Sequence, residues 1–244
     1  MRKCFFILML FFQFGKSQIL KPFDDEKCQL FSYSIKAKDA VRLEYLNDKN
    51  YLIYKSEKIL LNPTLKEENL TLLKEFKQKF PEVFSESCPK FLIYEDDEIR
   101  EAKSCNINFK LIDKKFDFYV FQMSGFEVSG FLLYDEKSKM SIFTDSFPQI
   151  LDEGKYIFSV GNGLNSTTVL VHKKDGKKYS KYELQISPRF RIDDYYIYRD
   201  YFKNLNLCFS ISSKELKLVE EGKNGKKYEN DENNGCNLKM KIEY

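Results

Sequence analysis

The chain has no tryptophan and a single histidine, His172, among its 244 residues. It also lacks a C-x-x-C pair, a G-x-S-x-G elbow and a G-x-x-x-x-G-K-[ST] phosphate loop. Each absence excludes some chemistry. Without C-x-x-C, neither a thioredoxin-type redox pair nor a zinc knuckle is indicated. With one imidazole, any Ser–His or Cys–His catalytic pair must use His172, and no His-rich metal centre can form. Gly161-Asn162-Gly163 lacks the third glycine and the following helix of a dinucleotide site, so it reads as a strand connection. No cofactor and no metal are expected. His172 itself ends the run Val169-Leu170-Val171 and reads as a half-exposed strand residue.

Net charge is nearly absent as well. Forty basic residues face 37 acidic ones, and three of the basic residues, Arg2, Lys3 and Lys16, lie in the first 17 positions. Residues 18–244 are therefore neutral overall, with no bulk field to concentrate polyanions, and nucleic acid is not an expected partner. The basic cluster from Lys173 to Lys178 reads as a solvated hairpin tip.

Met1-Arg2-Lys3 opens a positive stretch, an apolar run follows from Cys4 to Phe12, and Gly15 and Ser17 form a small-x-small pair. This is the pattern of a cleavable export signal over residues 1–17. A membrane-spanning helix needs about 20 apolar residues, and neither this run nor any later one is that long. The expectation is a secreted or periplasmic protein starting at Gln18, with no transmembrane segment in the mature chain. Residues 18–244 are read as one mainly β domain.

Five cysteines follow the signal: Cys28, Cys88, Cys105, Cys208 and Cys236. An oxidising compartment permits disulfides. Closure entropy favours the shortest loops, so Cys88–Cys105 and Cys208–Cys236 are the expected bridges and Cys28 the free thiol.

One amphipathic helix is predicted, over residues 63–80. Thr64-Leu65-Lys66-Glu67 matches a capping box beside Pro63. Leu65, Leu72, Leu73, Phe76 and Phe80 share a stripe that Pro81 ends. On this reading Asn69, in the sequon Asn69-Leu70-Thr71, falls within the stripe, whereas the sequon Asn165-Ser166-Thr167 falls in a loop.

Elsewhere the rhythm is that of strands. Gln29–Ile35 and Tyr51–Lys55 are rich in aromatic and β-branched residues, and Asp39–Leu46 suits strand or helix. From Phe91 onward short strands alternate with turn residues such as Asp175-Gly176 and Asn224-Gly225. Phe116–Phe121 is almost continuously apolar, as in a strand covered on both faces. No helix-length segment interrupts this part, so the predicted fold is an antiparallel sandwich or meander. Asp152-Glu153-Gly154-Lys155 before a strand resembles the blade signature of periplasmic propeller proteins. It occurs once, whereas a propeller repeats its blade about every 40–45 residues. A partial propeller is the alternative fold.

The densest unusual segment runs from Asp194 to Phe202. Tyrosines beside an arginine are the residue types of binding hot spots, which makes Tyr196, Tyr198, Arg199 and Tyr201 the candidate binding residues. Asn230–Gly235 resembles the start of a calcium loop, but position twelve is Lys241, so it reads as a polar turn. No residue is assigned a catalytic role. The expected function is that of an exported, non-catalytic protein binding an envelope or extracellular ligand. The alternative is a secreted glycan hydrolase built on two carboxylates.

Overall fold

A computed structural model describes residues 33–36, 42–59, 61, 66–84, 88–95, 98–103, 105–126, 128–162, 167–176, 178–186, 190–213, 216–222, 225–230 and 237–243. The expected leader, Cys28, Cys236, the Asn165 sequon and most of the 230–235 turn lie outside these residues.

Strands β1 (Tyr33–Lys36) and β2 (Arg42–Tyr45) precede helices α1 (Asp48–Ser56) and α2 (Leu70–Lys79). A 3-10 turn at Pro81–Phe84 leads to β3 (Lys90–Glu95), β4 (Glu98–Lys103), β5 (Ile107–Lys115), β6 (Phe118–Gly125), β7 (Val128–Asp135) and β8 (Ser141–Thr144). Then come β9 (Gln149–Leu151), β10 (Tyr156–Asn162), β11 (Thr167–Asp175) and β12 (Lys178–Ile186). Last are β13 (Phe190–Arg199), β14 (Leu205–Ser213), β15 (Leu216–Gly222), β16 (Gly225–Asn230) and β17 (Asn237–Glu243).

The strands form a six-stranded sheet, β4-β3-β8-β7-β6-β5, a five-stranded sheet, β1-β12-β11-β10-β9, and a four-stranded sheet, β13-β14-β17-β2, with β15-β16 as a separate hairpin. Pairing is antiparallel except between β3 and β8. Among the described residues no barrel or propeller closes, so the architecture is a mainly β sandwich of meanders.

Period-2 alternation decides which faces meet. Val169, Val171, Tyr182 and Leu184 on the five-stranded sheet bury against Ile192, Ile197, Leu207, Phe209 and Met240 on the four-stranded sheet. The opposite face of the five-stranded sheet meets the six-stranded one through Ile157 and Tyr179, packed with Tyr94, Ile112, Phe118, Leu133 and Ile142. The far side of the six-stranded sheet carries α2, where Phe76 and Phe80 pack on Phe91, Leu111, Tyr119, Phe121 and Tyr134. Strand β6 thus alternates between two cores, Phe118 and Val120 in one, Tyr119 and Phe121 in the other, as its continuous apolar run implies.

The predicted helix is real but shorter. Residues 66–69 are not helical, and Asn69 is the N-cap, its side chain accepting from the Leu72 N–H at 3.0 Å. The Asn69 N–H donates instead to the Leu111 carbonyl, 2.7 Å away, which holds the segment onto β5. An asparagine cap serves the helix better here than the upstream capping box. Asn69 is accordingly exposed and lies outside the stripe.

A second helix, α1, replaces the strand expected over Tyr51–Lys55. Asn47 caps it by accepting from the Asn50 N–H at 2.8 Å. Its Tyr51 and Tyr54, three apart, fall on one helical face and cover the outer side of β13.

Cys88 and Cys105 are bridged, with Cα atoms 4.7 Å apart, tying the two ends of the β3–β4 hairpin. The expected Cys208–Cys236 bridge is corrected: Cys208 is a buried free thiol. Its register partner is Lys241, while Asn237, the neighbour of Cys236, pairs with Ser212. That places Asn237, the start of β17, four residues along β14 from Cys208, roughly 13 Å at strand rise. Burial among Tyr51, Tyr196 and Tyr198 pushes the Cys208 thiol up to about 12.

Candidate functional site

Between the five- and six-stranded sheets the apolar contact gives way to a cavity of about 330 Å³. Strand alternation builds its floor. Thr168, Leu170 and His172 project from one face of β11, and opposite them on β12 stand Gln185, Glu183 and Lys181. The walls are Ile93 and Tyr94 of β3 and Phe143 of β8, and Asp145, just after β8, stands at the mouth.

Two glycines make this arrangement possible. Gly130 has φ of 153°, and a Cβ there would stand 2.7 Å from the Phe143 ring. A Cβ on Gly161 would fall 1.8 Å from the Ser146 hydroxyl, so the Asp145–Ser146 turn lies directly on β10. Hydrogen bonds fix that turn: the Ser146 N–H donates to the Ser159 hydroxyl at 3.2 Å, and the Ser159 and Thr144 hydroxyls both donate to the Ser146 carbonyl at 3.0 Å. Asp145 thus sits beside a residue whose N–H and carbonyl are both hydrogen-bonded.

His172 is not the half-exposed residue its position suggested. It is 3 % exposed, and neither ring nitrogen has a hydrogen-bond partner. Burial, with Lys181 nearby, pushes its pKa down to about 3, although the Phe143 backbone approaches without completing a hydrogen bond. The ring is neutral at physiological pH, with one N–H and one lone pair left without a hydrogen bond. A buried polar group in this state costs about 1–3 kcal/mol.

The two carboxylates differ. Glu183 is paired with Lys181 at 3.2 Å and accepts from the Gln185 amide. Asp145 makes no hydrogen bond or ion pair among the described residues. Partial burial and the neighbouring Glu183 push its carboxyl up, against the pull of Lys181. An uncompensated acid, a neutral imidazole and apolar walls around one concavity are the usual makings of a small-molecule site. Among the described residues no group of three His, Cys, Asp or Glu is placed to hold a metal ion.

The four residues singled out in the aromatic segment do not share one open surface. Tyr196 and Tyr198 are each 2 % exposed beneath α1. The Tyr196 hydroxyl donates to the Tyr51 carbonyl at 2.6 Å, and Tyr198 stacks on Tyr54 with centroids 4.6 Å apart. Arg199 points the other way and pairs with Asp152. Tyr201 lies at the β13–β14 turn, 94 % exposed beside Phe202 at 79 %. Strand alternation puts Ile197 in the core opposite Tyr196 and Tyr198, and α1 covers the tyrosine face.

Asp145, Glu183 and Lys181 were not singled out in the sequence. Asp145 stands 27 positions before His172, and only the β11–β12 register and the turn after β8 bring these residues together; no local motif joins Asp145 to the hairpin. Comparison with known protein families, with curated proteins and with solved structures finds no match to this chain.

Proposed function

We propose that this is an exported binding protein that takes a small ligand into the cavity between β3, β8, β11 and β12. The observation carrying this reading is His172, buried with both ring nitrogens unpartnered and lining a concavity. A purely structural histidine at such a depth is normally hydrogen-bonded. The export pattern over residues 1–17 supports a place outside the cytoplasm, as does the Cys88–Cys105 bridge. No helix among the described residues is long and apolar enough to cross a membrane.

A screen of small polar fragments by ligand-observed NMR tests the reading. Hits that vanish in Leu170→Trp, which fills the cavity, and in Thr168→Phe, which narrows it, support it. No hits, or hits indifferent to both variants, overturn it. Intact-mass measurement on exported protein tests the leader: loss of residues 1–17 is expected, and retained Met1 refutes cleavage.

A second reading, a glycan hydrolase, draws on the carboxylates Asp145 and Glu183 at one cavity, one of them pushed up as a general acid would be. Reducing-sugar release from a polysaccharide panel, abolished by both Asp145→Asn and Glu183→Gln, would establish it. On the binding reading no release occurs.

A further inference from the structure

The start of α2 carries an asparagine whose amide is only half used by the fold. Asn69-Leu70-Thr71 is an N-x-[ST] sequence with no proline in the middle, the acceptor pattern for N-glycans on exported chains. A folded protein can carry a glycan there only if the asparagine amide nitrogen reaches solvent. Asn69 meets that condition. It is exposed, and so are Thr71 and Leu70, the latter at 70 %. Its backbone is extended, with φ −97° and ψ 92°, and the helix begins one residue later. The amide oxygen Oδ1 is the capping atom, accepting from the Leu72 N–H at 3.0 Å. The amide nitrogen Nδ2 makes no hydrogen bond among the described residues. Substitution on Nδ2 therefore leaves the cap in place, because Oδ1 keeps its lone pairs.

We propose that Asn69 is an N-glycan acceptor, modified during export by transfer from a lipid-linked oligosaccharide diphosphate. In that transfer Nδ2 attacks the anomeric carbon. The bond from Nδ2 to that carbon forms, the bond from the carbon to the diphosphate oxygen breaks, Nδ2 gives up one proton, and the lipid diphosphate leaves. Nothing is oxidised or reduced. The inference rests on the export reading and not on the cavity: no residue of α2 lines the cavity. The glycan stands beside β5, an outermost strand of the six-stranded sheet, to whose Leu111 carbonyl the Asn69 N–H donates. Open strand edges invite pairing with other chains, and a bulky solvated group beside one opposes it.

The experiment expresses the full chain, with its own leader, in cultured mammalian cells, which glycosylate exported proteins. Protein recovered from medium and cells is mapped by peptide mass spectrometry before and after peptide-N-glycosidase treatment, which separates Asn69 from Asn165. The Asn69 peptide is expected to carry a glycan that the enzyme releases, leaving aspartate at that position. Asn69→Gln also removes the cap, so the deciding variants are at Thr71. Thr71→Ala should abolish the Asn69 glycan while the far-UV circular dichroism stays that of wild type, and Thr71→Ser should restore the glycan. An unmodified Asn69 on chains that have lost residues 1–17 overturns the site and leaves export standing. An unmodified Asn69 on chains that retain Met1 overturns both. A glycan that survives Thr71→Ala overturns the assignment as well.

Discussion

Two buried polar centres lie side by side where the five- and six-stranded sheets meet, and they have opposite fates. His172 stands opposite Lys181; two residues along β11, Lys174 stands opposite Tyr179. Lys174 and Tyr179 both turn to Asp135 of β7, which is 0 % exposed. That carboxylate accepts from Lys174 at 2.5 Å, the Tyr179 hydroxyl at 2.7 Å, the Ser138 hydroxyl at 2.9 Å and the Lys137 N–H at 3.0 Å. Four donors meet one acid, whereas the imidazole next door meets none. The first arrangement ties the β7–β8 turn to the five-stranded sheet. The second leaves hydrogen-bonding capacity unspent on a residue that lines a cavity. Burial and polarity are common to both centres; the unfilled hydrogen-bonding capacity sets the second apart.

The sharpest way to test this contrast is to remove Asp135. Asp135→Ala leaves the Lys174 ammonium, whose side chain is 19 % exposed, and the buried Tyr179 hydroxyl without their acceptor. Breaking such a pair from one side costs about 3–5 kcal/mol. Urea denaturation followed by far-UV circular dichroism should show that loss, and a loss under about 1 kcal/mol would mean that the network is ornamental.

Acid separates the two centres next. Burial pushes the Asp135 carboxyl up, but its four hydrogen bonds outweigh burial and hold it below the usual carboxylate range. Its contribution is present above the ordinary carboxylate pKa and is lost only as pH falls through the lower, folded one. His172 behaves differently. Its folded pKa, about 3, lies below the ordinary 6.5, so between those values the unfolded chain binds the proton and the folded chain does not. Stability therefore falls as pH drops from 6.5, by about 1.4 kcal/mol per pH unit from this residue alone. The groups facing it, Lys181, Glu183, Asp145 and Tyr94, are common to wild type and variant. The wild-type minus His172→Leu difference should follow that slope from pH 6 to pH 4.5. A flat difference would show that the ring is solvated or charged in the folded state.

Much of the fold was legible because its signals are local. The continuous run at Phe118–Phe121 needs two covered faces and has them, Pro81 ends α2, and the Cys88–Cys105 loop closes as the shortest available one. What the sequence concealed depends on tertiary partners. Tyr51–Lys55 has the composition of a strand, and its helix is set by the Asn47 cap and by the tyrosines of β13 that it covers. The same covering hides Tyr196 and Tyr198. His172 looked like a strand end because Lys173 and Lys174 follow it, yet β11 continues to Asp175 and leaves His172 in the interior. Its pattern, Thr168, Leu170 and His172 alternating with Val169 and Val171, held the clue that β11 buries both faces. Asp145 gave no signal, since only the folding of the turn after β8 onto Ser159 and Gly161 brings it to the hairpin.

The smallest expected effect is at Asp145, and it separates binding from stability most cleanly. Its carboxyl is raised by partial burial and by Glu183, so the folded state holds its proton more tightly than the unfolded chain. A raised acid gives stability that is full at low pH and is lost as pH rises through the folded pKa. At pH 7.5 Asp145 is therefore a mild liability. Asp145→Asn keeps the shape and removes the repulsion from Glu183. Because the residue is exposed, solvent screening limits the gain to about 0.5 kcal/mol or less. Thermal unfolding at pH 7.5 should show the variant equal to or slightly above wild type, with the difference vanishing in acid. A variant clearly less stable at pH 7.5 would mean that Asp145 is a structural acid like Asp135, and the distinction between a filled and an unfilled polar centre would no longer divide the two.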